Sequence, residues 1–159
     1  MADDSEEDAE LVLAFLNTVD AEEGTDLLDH PVAWRHWVRD RRLGVAGSPG
    51  QVRAARDALR AAVAGDADTG WSGQTLVVHV EAGRPVVVPA DAVATVLAAA
   101  VRLAVTGAWD RLKICPAHDC RWAFYDRSKN RSRTWCSMQV CGNREKSRTF
   151  RARSRDART

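Results

Sequence analysis

A chain of 159 residues, 45% of them hydrophobic and 28% charged, can bury one modest core, or a core of about 100 residues plus a metal-stapled module too small to fold alone. Its net charge of +1 hides a division, since residues 1–109 carry 9 Lys and Arg against 17 Asp and Glu while residues 110–159 carry 14 against 5. The asymmetry points to a basic ligand-binding module on an acidic partner domain, with nucleic acid the usual ligand of such a module, unless the two halves simply neutralise each other in one compact fold.

Residues 1–10, MADDSEEDAE, have no basic, apolar or cleavage region of a secretory leader, so a cytoplasmic protein is expected, nucleoid-associated if it binds DNA. The acidic run Asp3 to Glu10 reads as a disordered, solubilising tail, or as a DNA mimic covering a basic helix. Leu11, Phe15, Leu16 and Val19 recur at helical spacing, predicting a first helix from about Glu7 to Thr18. Pro31 opens a second helix with Trp34, Trp37 and Val38 on one side, ending in a basic cluster before Gly44. Ser48, Pro49 and Gln51 form a capping signature for a third helix, Pro49 to Ala64, whose apolar face carries Val52, Ala55, Leu59 and Ala62. The runs Thr75 to Val80 and Arg84 to Val88, split by Glu81-Ala82-Gly83, predict a hairpin. Asp91 caps a helix to about Thr106 in which only Thr95 and Arg102 are polar. Such a helix is a core element or a homodimer surface, and it is too short for a membrane span of about 20 residues. No glycine-rich phosphate loop, Ser-His-Asp set or internal repeat occurs. The histidines His30, His36 and His79 are scattered singly, so no enzyme is expected.

All four cysteines fall within residues 115–141, as two C-x4-C pairs, Cys115/Cys120 and Cys136/Cys141. Paired spacing of this kind is the mark of a tetrahedral zinc site; two disulfides or four unrelated thiols are the alternatives, and disulfides need an oxidising compartment. With four thiolates and no open position the zinc is structural. His118 is a knuckle residue, or a replacement for one cysteine.

The segment KICPAHDCRWAFYDRSKNRSRTWCSMQVCGNREKSRTFRAR, residues 113–153, resembles the CGNR zinc-finger family, whose tetrapeptide is Cys141-Gly142-Asn143-Arg144 here. Both cysteine pairs, the block Trp122 to Arg133 and the block Trp135 to Met138 match that pattern. Phe15-Leu16-Asn17-Thr18 is similar to the segment that opens the ABATE-like domains found ahead of such fingers. The resemblance implies a stress-related transcription regulator that binds DNA, with residues 1–109 as the ABATE-like domain and 110–159 as the finger.

Within the finger, Leu112 to Ile114 predict a strand into Cys115, with Trp122, Phe124 and Tyr125 on the returning strand. These aromatics pack around the metal or stack on exposed bases. Ser137 caps a last helix on which Arg144, Arg148, Arg151 and Arg155 fall at i, i+4, i+7 and i+11, a stripe suited to a polyanion. The fold expected is therefore α+β: a mainly helical N-terminal domain with a β-hairpin, followed by a small four-cysteine zinc finger of β-ribbon and basic helix. Its expected partner is DNA, with Arg127, Lys129, Arg131, Arg133 and Lys146 joining the stripe as contacts. RNA is the alternative, because Trp122, Tyr125 and Trp135 suit unpaired bases. Asn143 is a clamp on the knuckle backbone or a reader of base edges. The N-terminal domain dimerises or senses a small molecule beside Trp34, Trp37 or Trp71.

Overall fold

The structure, a computed structural model, describes residues 2–66 and 70–156. Four helices, α1 (Ala2–Leu16), α2 (Pro31–Asp40), α3 (Pro49–Ala64) and α4 (Ala92–Val105), build the body. Two short strands, β1 (Val19–Asp20) and β2 (Thr25–Asp26), follow α1, and the hairpin β3 (Val77–Glu81) and β4 (Arg84–Val88) precedes α4. The ribbon β5 (Leu112–Ile114) and β6 (Ala123–Tyr125) and a last helix, α5 (Asn143–Asp156), complete the chain.

The local signals at α3 and α4 work as read. Ser48 Oγ accepts from the Gln51 N–H, and Asp91 Oδ1 from that of Ala94, each satisfying one N–H that a helix start leaves unpaired. The α3 span agrees with its prediction, although Ala62 is exposed. The β3–β4 turn has Ala82 and Gly83 both at positive φ, 48° and 78°, which suits the twist of a two-residue hairpin. Val78 and Val80 of this hairpin remain exposed.

The acidic N-terminus departs from expectation. It is the first part of α1, which begins at Ala2 rather than Glu7 and ends at Leu16. Carboxylates are favoured at the positive end of a helix, and two of them find partners far along the chain. Asp8 is buried and takes a bidentate pair from Arg102 of α4, at 2.5 and 2.8 Å, while Glu6 pairs with Arg127 at 2.5 Å.

The core lies between α1, α3 and α4, with Val12, Phe15, Leu16, Val52, Val96 and Leu103 fully buried. Packing against α1 covers much of the apolar α4, leaving Val101 and Val105 exposed. Trp34 is buried, donates to the Ala46 carbonyl at 2.9 Å and stacks on Trp37 at 5.0 Å between centroids. A second buried charge, Arg56, sits deeper in this body. Arg56 grips both oxygens of Asp26, at 2.7 and 2.9 Å, and reaches Asp57 and Thr18 Oγ1 as well. Burial works against the charge on Asp26, but the Arg56 bond and its neighbours hold its carboxyl below the usual range.

The ribbon serves two cores through strand alternation. Leu112 pairs with Tyr125 and Ile114 with Ala123, and these four face the helical core. Phe124, paired with Lys113, belongs to the other face and packs against the cysteines. Among the described residues, no helix is long and apolar enough to cross a membrane.

Candidate metal centre

The first knuckle is the loop between β5 and β6. Cys115 N–H donates to the Trp122 carbonyl at 2.9 Å, Cys120 N–H to that of Ala117 at 3.0 Å, and Arg121 takes a positive φ of 54° so that the chain can turn back into β6. The second knuckle is a wide turn, Met138–Gly142, capped by Ser137 Oγ accepting from the Val140 N–H at 3.3 Å and closed by Gly142 N–H to the Ser137 carbonyl. The α5 helix grows directly from it. Such wide helical turns are rare and recur at functional sites.

The four Sγ atoms lie within 4.8 Å of one another, with Cys120 to Cys136 at 3.5 Å and Cys136 to Cys141 at 3.6 Å. No disulfide is formed; that bond would need about 2.05 Å. Zinc–thiolate bonds of about 2.3 Å in a tetrahedron put sulfurs about 3.8 Å apart, so the observed spacing fits a metal held by all four cysteines. His118 is exposed and outside the cluster.

The electrostatics point the same way. Burial and the neighbouring sulfurs push the Cys136 thiol well up, and burial with the Cys120 and Cys115 sulfurs pushes Cys141 up to about 11. Cys115 is held low in spite of burial by backbone N–H groups of Cys136 and Ala117. Four crowded thiols cannot all ionise unaided, whereas a dication at their centre reverses that balance. The donor set is all sulfur, with three cysteines buried and Cys136 half-buried, and four thiolates fill a tetrahedral ion's positions, which fits a structural metal.

Around the sulfurs, Phe124, Ala117 and the half-buried Trp135 supply the apolar packing; of the ribbon's other aromatics, Tyr125 packs on the helical core and Trp122 is exposed. Arg133 stacks over Phe124 at 4.9 Å, donates to the Trp135 carbonyl at 2.9 Å and also to that of Cys136. It therefore holds the second knuckle to the ribbon. Gly142 owes its place to space, because an added Cβ would lie 2.5 Å from Met138 Sδ and 3.3 Å from Trp135 Cδ1. Asn143 Nδ2 donates to the Gln139 carbonyl at 3.1 Å, the knuckle clamp that its position suggested.

Two hubs carried no local signal. Asp126 reads as a polar turn residue, yet it is wholly buried. It accepts from Lys113 Nζ at 2.7 Å and from the Ser128 and Arg133 N–H groups at 2.9 and 2.8 Å. Burial opposes its charge, but these donors hold the carboxyl far below the normal range. Asn17 joins body to finger as a third strand would: Nδ2 donates to the Ala123 carbonyl at 2.9 Å and Oδ1 accepts from the Ala123 N–H at 2.8 Å. Arg60 adds a second tie, donating to the carbonyls of Leu16 and Arg121 at 2.6 Å each.

The basic residues divide by partner. Arg144 is held by Asp119 and Glu22 at 2.7 and 2.8 Å, and Arg148 by Asp119 at 3.0 Å. Arg131 pairs with Asp110 at 3.2 Å and Arg127 with Glu6. Among the described residues Arg151 reaches only the Ser147 carbonyl, at 3.2 Å. Lys129, Lys146 and Arg153 are exposed and have no partner among the described residues. Arg155 lies on the same helix, its side chain outside the described ones.

Residues 111–154 match the family model of the CGNR zinc finger. The match covers the ribbon, both knuckles and most of α5, so sequence pattern and sulfur geometry select the same module. No curated protein matches the chain.

Proposed function

We propose that the protein is a DNA-binding regulator in which a structural zinc, held by Cys115, Cys120, Cys136 and Cys141, fixes the origin of a basic helix presented to DNA. One observation carries the reading: α5 starts two residues after Cys141, the last cysteine of the cluster, and its residues from Lys146 to Phe150 are all exposed. Lys129, Lys146, Arg151, Arg153 and Arg155 supply the charge for phosphates, while Arg133 acts as a strut and Arg144 and Arg148 orient the helix. Zinc removal is expected to abolish binding, because the helix origin and the second knuckle are then no longer joined to the ribbon.

The regulatory half of the reading rests on an ABATE-like body with a role in stress-linked transcription. A groove of about 470 Å³ runs between body and finger, and Asn17, Asp26, His30, Trp37 and Trp122 are among its walls. An effector there would touch Asn17 and the knuckle-side Trp122 together, and so bear on the joint that carries the finger. Of the three aromatics that favour RNA, Tyr125 packs on the main core and Trp135 on the cysteine cluster, which leaves Trp122 alone exposed and supports the DNA reading over one built on a row of stacked bases.

The test is the salt dependence of duplex binding by zinc-loaded protein. Engagement of about five phosphates predicts a slope of log K against log salt near −4 to −5. A slope near zero, or no binding at low salt, would sink the proposal.

A further inference from the structure

The α5 helix has two faces of different character. At 3.6 residues per turn, Arg144, Arg148 and Arg151 share one side, and the first two are tied to Asp119. The opposite side carries Lys146, Phe150 and Arg153, and with Trp135, Gly142, Glu145 and Thr149 it lines a cleft of about 310 Å³. Phe150 is 72% exposed. Among the described residues no aromatic is more exposed, and a ring on a basic helix gains nothing from water. Lys146 stands one turn before it and Arg153 one turn after, roughly 10 Å apart along the axis. Glu145 in the cleft has its charge offset by Arg148 at 3.7 Å. An aromatic ring between two cations with no partner among the described residues is the arrangement that takes a base on its face and phosphates on either side.

We infer that this face binds an unstacked base of an opened DNA segment, with Phe150 as the stacking platform or wedge and Lys146 and Arg153 on the flanking phosphates. The inference rests on the DNA-binding reading and adds which face engages and what state of DNA it selects. Intact duplex hides its base faces and offers Phe150 nothing beyond the backbone, so the finger should prefer a site already opened or easily unstacked.

The experiment uses the zinc-loaded full chain, its Phe150→Ala and Lys146→Gln variants, and four probes: an intact duplex, the same duplex with a central unpaired bubble, and single-stranded DNA and RNA of the same sequence. Phe150 is exposed, so zinc content and melting temperature should be unchanged in Phe150→Ala. The wild type is expected to bind the bubble about tenfold more tightly than the duplex. Phe150→Ala should erase that preference with little effect on the duplex, and Lys146→Gln should weaken both while flattening the salt slope by about 1. Equal binding of bubble and duplex, or an unchanged preference in Phe150→Ala, overturns the inference and leaves the DNA reading standing. Tighter binding of single-stranded RNA than of the bubble overturns DNA as the occupant. Absence of binding to every probe removes both proposals.

Discussion

The two cysteine knuckles differ in what holds them. The first is built into the ribbon, whose inner face is part of the helical core and whose Ala123 is bonded twice to Asn17. The second hangs on the sulfurs, on Arg133 and on the Arg144 pairs with Asp119 and Glu22. A module can thus be half domain and half metal complex. The body supplies a rigid edge, and the cysteine cluster carries the helix, which meets the body through the Arg144 pair with Glu22.

Chelation should break this contrast most visibly. Structural zinc contributes on the order of 10 kcal/mol in isolated fingers. Hydrogen exchange after zinc removal is therefore expected to show loss of protection in residues 134–150, with protection kept in α1, α3 and α4. Uniform loss would mean that the body also depends on the metal. The reverse lesion is Arg56→Ala, which leaves Asp26 with Arg53 as its remaining cation and should cost about 3 kcal/mol in denaturant unfolding, the low end for a broken buried pair. It should change zinc affinity far less than a cysteine substitution does. Because the folded carboxyl of Asp26 titrates below its unfolded value near 4, the stability it supplies is present above that pH. It is lost as pH falls through the lower folded value, and Asp26→Asn should remove this dependence from the acid-unfolding curve.

Asn17→Ala cuts the joint itself. With the Ala123 N–H left unpaired, about 1–3 kcal/mol is expected, accompanied by faster exchange in β6. A neutral result would show that apolar packing alone seats the ribbon. Gly142→Ala should cost about 1 kcal/mol, at the low end for overpacking. The exposed Met138 can swing aside, whereas Trp135 must give by a few tenths of an ångström. Glu22→Gln is the smallest change: Arg144 keeps Asp119, so DNA affinity should stay within about twofold, and a several-fold gain would make Arg144 a DNA contact rather than a residue that orients the helix.

Much of this arrangement is legible in the sequence because its causes are local. Ser48 and Asp91 announce α3 and α4, the two-residue turn after Glu81 announces its hairpin, and paired cysteines announce the cluster. The failures share one cause, pairing over long sequence separations. Nothing near Asp8 signals Arg102, 94 residues away, so the acidic run reads as a tail. Nothing near Asp126 shows that Lys113 will neutralise it. Arg144 and Arg148 look like free contacts until the fold brings up Asp119. Phe150, hidden among arginines, carries no periodic signal and stands out only once its exposure is seen.

The central claim, that a metal at the four cysteines presents α5 to DNA, is tested most directly by one titration. Zinc-loaded protein bound to labelled duplex is challenged with a chelator, and bound zinc and bound DNA are measured in the same samples. The account predicts one zinc per chain and loss of DNA in step with loss of zinc. DNA that stays bound after the zinc has gone would contradict it.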